Sequence, residues 1–553
     1  MKSEKVWNSK NNEFDNNFKY WCLFLGSMPR RQLLLSIFYG LSRIIISMAW
    51  PFFLYRTLKE IGIIPYSQII INMSVVAVML ILVAIATHLQ SKINIQVLKT
   101  SVLKLIDRIW RKMNALDWLT FHGNNRVYYF DMLMVETWRL RAGMAALLES
   151  LIINSLVAGV LSLSIIFISW QLFIVCISGL IVIGIGHYFS STKTRPLLKK
   201  FHQAWRNQHH WIAKSVDQFD LVKMDRAYEQ SAATNLKNSS LFLDINSTLL
   251  TSQMKWRNIN QLLINIVRIS VFVIGLYWVR VDIIGLDDLL LVLLIVSIIQ
   301  SNAMQIPAAL NNFIEAQEAL KTISRFFNLK DEQSDKQKLV SDIAPIEKIT
   351  IRDLSYGYDD KLVIEQVDID LEVGKIYLWR GCNGSGKSTA AHILLGLLYP
   401  KHGKLAINDQ VVDWKELKSL RKRFAFLNQD SPIFMGSIKE NTLFGHMHPV
   451  QAWNKLQATW LSGLLPPAIQ GGNHMVGERG EGLSGGEAKR IALIRELLRY
   501  SELLILDEPL NHLDEYAIDE IKREILTIKS KTIIIIISHQ MGFESIADEI
   551  KEF

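Results

Sequence analysis

The sequence predicts two domains of different class in one chain: an all-α half of six membrane-spanning helices, then an α/β half built round a phosphate-binding loop. Three observations carry this expectation. Half of the 553 residues are hydrophobic, only 20% are charged, and the mean hydropathy is +0.18, too apolar for an ordinary soluble enzyme and incompatible with a disordered or fibrous chain. Six long apolar runs fall within the first 306 residues. After about residue 349, short β-rich runs alternate with helical patterns around a glycine-rich loop, as α/β architecture requires.

The apolar runs lie near 33–57, 66–89, 143–169, 171–190, 259–279 and 287–306. Each approaches or exceeds the ~20 residues a helix needs to cross the hydrocarbon core. Ahead of them, residues 1–31 are charged and polar. They hold an amphipathic patch (Phe18, Tyr20, Trp21, Leu23, Phe24) suited to the membrane surface rather than to a cleavable signal. The gaps after runs two and four are long and basic, with Lys92, Arg108, Arg111 and Lys112 in one and Lys193, Lys200, Arg226 and Lys237 in the other. The short gaps hold only Lys59 and Arg280. The positive-inside rule therefore places the long gaps and both termini in the cytoplasm. The +9 net charge then belongs to cytoplasmic surfaces, and a nucleic-acid partner is not expected. Val97, Val102, Leu105, Ile109 and Met113 keep helical spacing, so the helices should continue about 35–40 Å beyond the bilayer at 1.5 Å per residue. Cys22, Cys176 and Cys382 show no metal-ligand spacing and fit a reducing compartment.

In the second half, Gly381-Cys382-Asn383-Gly384-Ser385-Gly386-Lys387-Ser388 follows the strand-like Ile376–Trp379 and precedes a helical stretch from Thr389. This is a P-loop in its strand–loop–helix context. Its glycines let backbone amides fold around phosphate oxygens at a helix N-terminus. Lys387 would reach the β- and γ-phosphates, and Ser388 would ligate Mg²⁺. The apolar run Leu503–Leu506 ends in Asp507-Glu508, where one carboxylate can bind Mg²⁺ and the other polarise a water. Ile533–Ile537 ends in Ser538-His539, a histidine at the carboxyl end of a central strand. Leu483-Ser484-Gly485-Gly486-Glu487 opens another helix and forms a second phosphate-binding turn. One domain needs one γ-phosphate site, so the second turn should serve a nucleotide held by another copy.

With these motifs assembled, the chain resembles an ATP-binding cassette (ABC) exporter of the half-transporter type. The resemblance rests on Walker A at 381–388, Gln429 as the Q-loop, Val476-Gly477-Glu478-Arg479-Gly480, the signature at 483–487, Walker B at 503–508, Asn511-His512-Leu513-Asp514 as the D-loop, and the switch His539. It implies a transmembrane domain over 1–328, a linker at 329–348 and a nucleotide-binding domain over 349–553. Family roles follow residue by residue. Tyr358 would stack on adenine, with Tyr356 as the competing choice, and Gly381, Asn383, Gly384, Ser385, Gly386, Lys387, Ser388 and Thr389 would hold ATP. Ser388, Gln429 and Asp507 would hold Mg²⁺, and Glu508, His539 and Gln429 would carry catalysis. Ser484, Gly485 and Gly486 would complete the partner's site in a homodimer. The stretches 117–125 and 217–225 would be coupling segments.

Three departures accompany the resemblance. Glu487 stands where the family usually has Gln, and Pro509-Leu510-Asn511-His512 replaces a small-residue run. Only 14 residues follow His539, so the family's C-terminal strand and helix should be largely absent. There is no room for an N-terminal peptidase domain. Arg43, Asn72, Glu149, Asn154, Asn265, Arg268, Gln300 and Asn302 lie inside the apolar runs and should face a cavity or one another. The resemblance points to ATP-driven export of an amphipathic substrate across a bacterial inner membrane, with a small modified or antimicrobial peptide as the first choice. Lipid flipping and multidrug efflux are the alternatives, and a regulatory non-transporting membrane ATPase is the remote one.

Overall fold

The computed structural model describes residues 26, 28–60, 64–224, 227–332, 344–358, 361–430, 432–446, 448–465, 471–477, 480–499, 501–511, 513–539 and 542–553. The amphipathic patch at 18–24, Cys22, Glu478, Arg479 and His512, and parts of the expected linker and of the 217–225 segment, lie outside the described residues. The chain divides into two compact units. The first runs to Leu116 and resumes over Thr120–Asp331; the second is Glu332–Phe553 together with Asp117–Leu119.

The first unit is all helical. Its six long apolar helices are α1 (Arg30–Lys59), α2 (Tyr66–Ala115), α3 (Arg126–Phe167), α4 (Trp170–Val216), α5 (Tyr228–Arg280) and α6 (Leu286–Phe327). Each apolar run of the sequence falls largely or wholly within one of them, so the chain is a multi-pass membrane protein by helix length and composition. The 50 residues of α2 make a rod of about 75 Å, well beyond the ~30 Å hydrocarbon core. Two helices are locally irregular. In α3, π-helical turns at Asp131–Glu136 and Leu147–Asn154 re-aim the polar residues they contain. In α6 the regular helix stops at Ala303 and restarts at Ile306, where Pro307 supplies no backbone donor to the preceding turn.

The second unit contains two larger sheets. An antiparallel sheet has the order β2-β1-β4-β5, from β1 (Lys348–Tyr358), β2 (Lys361–Glu372), β4 (His402–Ile407) and β5 (Gln410–Val412). The parallel sheet takes β3 (Ile376–Arg380), β6 (Phe424–Leu427), β9 (Leu503–Asp507), β10 (Ile533–Ile537) and β11 (Glu549–Glu552) in the order β11-β3-β10-β9-β6. The short strands β7 (Gly436–Ser437) and β8 (Met475–Val476) pair separately. Besides a single turn at Leu417–Leu420, the helices packed round these sheets among the described residues are α7 (Lys387–Leu394), α8 (Ile438–Leu443), α9 (Pro449–Ala458), α10 (Gly485–Leu497) and α11 (Glu515–Ile528).

The continuous apolar strands arise because both faces of the parallel sheet are covered. Leu504, Leu506, Ile534 and Ile536 join one core with Ile491 and Leu493 of α10 and Ile521 and Ile525 of α11. Their alternates Leu503, Ile505, Ile533, Ile535 and Ile537 join another with Ala390 and Ile393 of α7. Each such buried isoleucine or leucine contributes about 1.5–3 kcal/mol against exposure. Trp118 belongs to this unit, its ring 4.8 Å from that of His392.

One expectation is corrected here. The residues after His539 do include a strand: β11 pairs in parallel with β3, Glu549 opposite Tyr377 through Glu552 opposite Arg380. It escaped notice because Ile550 is its one apolar residue, as suits an edge strand that hydrogen-bonds on one side only.

Candidate functional site

Sheet order assembles the candidate site. Strands β3, β10 and β9 are parallel neighbours, with Ile537 opposite both Trp379 and Asp507. The residues that follow each strand therefore emerge together at the carboxyl edge, where open α/β sheets bind ligands. Those residues are Gly381, Ser538-His539 and Glu508.

The loop after β3 is shaped by glycine. Gly386 has φ of +98°, and a Cβ there would lie 2.8 Å from Ile364 Cγ1 and 3.0 Å from the Val363 carbonyl oxygen. Only glycine combines that left-handed backbone with so close an approach. Lys387 opens α7 and is buried; its Nζ donates to the carbonyls of Gly381 at 2.8 Å and Cys382 at 2.9 Å, and to Ser385 Oγ at 3.2 Å. The ammonium thus sits within the loop, held by acceptors that phosphate oxygens can replace. Asn383, Gly384 and Ser388 face solvent, while Thr389 is buried against the domain.

The carboxylates stand beside this loop. Ser388 Oγ donates to Asp507 Oδ2 at 3.1 Å. Burial pushes the Asp507 carboxyl above its ordinary range, the Ser388 hydrogen bond opposes this, and the neighbouring Glu508 charge adds to it. An acceptor pair with a desolvated carboxylate suits a hard cation such as Mg²⁺. Glu508 adopts φ of +48°, an uncommon conformation for a side-chain-bearing residue. It is held there because its N–H donates to the Ile537 carbonyl at 2.9 Å. Its Oε1 accepts from the His539 N–H at 3.1 Å, and His539 Nε2 lies 3.9 Å from the same oxygen.

Other expected residues stand apart from this cluster. Ser484 and Gly485 are exposed at the start of α10, and no hydrogen bond among the described residues joins them to the P-loop. Ser484 Oγ accepts from the Glu487 N–H at 3.2 Å, and Glu487 Oε2 accepts from the Ser484 N–H at 2.7 Å. This reciprocal box caps the helix, so Glu487 retains a local partner in the position usual for Gln. Gln429 is exposed after β6. Tyr356 is buried whereas Tyr358 is 38% exposed, which leaves Tyr358 the free ring of the pair. Two residues had no motif to announce them. Lys489 is 4% exposed, with Nζ 3.3 Å from the Gln429 carbonyl oxygen. Arg490 donates to Asp514 Oδ2 at 2.6 Å, tying α10 to the N-cap of α11.

The first unit carries two polar features. Arg43 Nη2 donates to Asn154 Oδ1 at 2.6 Å and to Asn302 Oδ1 at 3.3 Å, and Asn154 Nδ2 donates to Gln305 Oε1 at 3.0 Å. Glu149 belongs to a separate chain, accepting from Asn94 Nδ2 at 3.4 Å, while Asn94 Oδ1 accepts from Ser36 Oγ at 2.6 Å. Three of the eight polar residues expected to face a cavity or one another, Arg43, Asn154 and Asn302, thus share one network, placed by the second π-turn of α3 and the break in α6. Arg268 is exposed instead. The second feature is a cavity of about 390 Å³ between α4, α5 and α6, lined among others by His187, Arg257, Asn260, Gln261, Asn312 and Glu315. His187 Nε2, Asn260 Oδ1 and Gln261 Oε1 are buried there without hydrogen-bond partners. None of these six is predicted from sequence as a cavity residue, because they come from three helices and meet only through packing.

Comparison with known proteins agrees with this architecture. Residues 364–511 match the family model described as ABC transporter. The multidrug resistance-like ATP-binding protein MdlB of Buchnera aphidicola is 29% identical over 237 residues, 42% of this chain and 41% of that protein. A multidrug resistance ABC transporter ATP-binding and permease protein of Lactococcus lactis is 24% identical over 470 residues, 81% of this chain and 77% of its own. The match to the first of these spans about two fifths of that relative's length. The solved structure of a bacterial Atm1-family ABC exporter with ATP bound superposes with a TM-score of 0.83 at 19% identity, covering 95% of this chain and 93% of that one. The chain therefore shares the fold of that exporter structure, six helices of membrane-spanning length followed by one α/β domain, part of which matches the ABC transporter model.

Proposed function

We propose that two copies of this chain form a homodimer that hydrolyses ATP to export an amphipathic substrate, a small peptide, across the bacterial inner membrane. The observation that carries the energy-coupling part is the shared edge of β3, β10 and β9, which sets Lys387, His539, Asp507 and Glu508 side by side. On this reading Tyr358 stacks on adenine, and the loop from Gly381 to Thr389 with Lys387 cradles the phosphates. Ser388, Asp507 and Gln429 would hold Mg²⁺, which neutralises phosphate charge. Glu508 accepts the proton of the attacking water, and His539, fixed through its own N–H to Glu508, touches the γ-phosphate. The exposed turn Ser484–Gly486 closes on nucleotide held by the partner copy. Closure and release then drive a cavity that opens alternately to each side, through coupling segments at 117–125 and 217–225.

The substrate class is supported by the cavity between α4, α5 and α6. Unpartnered amide oxygens, one guanidinium (Arg257) and one carboxylate (Glu315) in its lining match the donors, amine and carboxylate of a short peptide. Efflux of drugs is the second reading, favoured by the names of the Buchnera and Lactococcus relatives. The deciding measurement is ATP turnover and uptake in proteoliposomes, with short peptides, lipids and cationic drugs tested separately. Stimulation and uptake by peptides support the first reading; stimulation by drugs or lipids alone replaces it, and ATP turnover without any uptake removes transport altogether.

A further inference from the structure

Lys489 is one of several buried charged residues of the second unit that the proposed chemistry leaves unexplained, and the one whose ammonium bonds the Gln429 backbone. It lies on α10, five residues beyond the exposed Ser484, or about 7.5 Å along the helix axis. Ser484 and Gly485 face solvent while Lys489 is 4% exposed, so one helix presents the signature turn outward and turns an ammonium inward. Taking a lysine out of water is costly unless its charge is met. Here it is met by the Gln429 carbonyl oxygen at 3.3 Å and by the field of Asp507, Glu508 and Asp430. Burial draws the ammonium below its ordinary range, and those three carboxylates act against the shift.

We infer that Lys489 is a positioning residue that ties the Q-loop backbone to the signature helix, so that each nucleotide site feels whether its own protomer's signature turn is engaged. The inference rests on the ATPase reading above. Gln429 is there one of the three groups that hold Mg²⁺ beside the phosphates, and its side chain starts from the backbone that Lys489 holds. From Lys489 to Leu497 α10 is buried except for Arg490, and Arg490 is itself paired with Asp514. The helix therefore moves as a body rather than bending. Nucleotide of the partner copy pulling on Ser484–Gly486 would displace Lys489, and with it the Gln429 carbonyl.

The test uses the full-length protein in lipid nanodiscs, measuring phosphate release against ATP concentration for wild type, Lys489→Met and Lys489→Arg. The methionine keeps the length and loses the donor; the arginine keeps donor and charge. Wild type should show a sigmoidal ATP dependence. Lys489→Met should lose about 10-fold in kcat with KM little changed and become hyperbolic, since one charged hydrogen bond is worth roughly that factor. Lys489→Arg should restore both rate and sigmoid shape. A Lys489→Met enzyme with wild-type rate and curve overturns the tether, as does a hyperbolic wild type. So does a variant that loses kcat, KM and melting temperature together without rescue by arginine, which would mark mere packing. A wild type without ATP turnover, or a fully active Glu508→Gln, defeats the underlying ATPase reading instead.

Discussion

The two units treat buried polar groups in opposite ways. In the second, the polar residues of the site stand at the ends of strands whose register is set by their neighbours, or on the helix that follows one. Ser388 therefore reaches Asp507 at 3.1 Å, and the His539 N–H reaches Glu508 at 3.1 Å. In the first, polar residues are scattered along helices of 30 to 53 residues, and their partners depend on helix packing. Some close on each other, as Arg43 does with Asn154 and Asn302. Others, such as Asn260 and Gln261, keep acceptor atoms open towards a cavity. Where the backbone dictates geometry the polar groups meet in fixed register, and where side chains alone do, some pair and others stay open.

The largest effect is expected where register fixes chemistry. Glu508→Gln should lower ATP turnover by about 10²–10⁴-fold, the usual value of a general base, while still binding nucleotide and accumulating a closed dimer in sizing chromatography. Normal turnover in that variant would falsify the assignment of Glu508 as base. Lys387→Ala removes the cation that the loop carbonyls now hold, and should weaken nucleotide binding by roughly 10–100-fold, as for a charge-assisted hydrogen bond. Equilibrium binding of a fluorescent nucleotide measures it; unchanged affinity would place the phosphates elsewhere.

In the membrane unit the effects should be smaller and confined to substrate. Arg257→Ala should raise the peptide concentration for half-maximal ATPase stimulation by about 10-fold, the scale of one charged contact. An identical response to peptide would leave the cavity without a role in recognition. Smallest of all, Glu487→Gln should change stability by less than about 0.5 kcal/mol, because glutamine can also complete the capping box. Its effect on acid sensitivity has a definite sign. Hydrogen bonds from the Ser484 N–H and hydroxyl hold the Glu487 carboxyl below its ordinary value. Its contribution is thus present above the ordinary carboxylate range and lost as pH falls through the lowered value. Thermal melts from neutral to acid pH should show slightly less acid loss in the glutamine variant; a steeper loss would contradict the cap.

The same contrast explains how much was legible in the sequence. Six helices of sufficient length follow from apolar runs, and the α/β class follows from Ile376–Trp379, Leu503–Leu506 and Ile533–Ile537, whose unbroken hydrophobicity marks strands covered on both faces. Gly381–Ser388 and Asp507-Glu508 carry their context with them, so the structure places them together at one sheet edge. What stayed hidden depended on distant packing. The strand β11 has too little apolar character to stand out, and Lys489 reads as an ordinary helical lysine until burial turns it inward. The cavity residues His187, Asn260 and Glu315 come from three helices whose sequence separation exceeds any motif.

The final strand has a consequence for the phosphate loop itself. Phe553 donates its N–H to the Arg380 carbonyl at 2.8 Å, its ring lies 4.8 Å from that of Trp379, and a Cβ on Gly381 would sit 2.5 Å from the Phe553 carbonyl oxygen. Clipping those last few residues would leave β3 as the sheet's margin, with open backbone donors and acceptors directly beneath the nucleotide loop. A protease nick near residue 548 would then disturb the 381–388 loop from below, without touching any residue proposed to contact ATP.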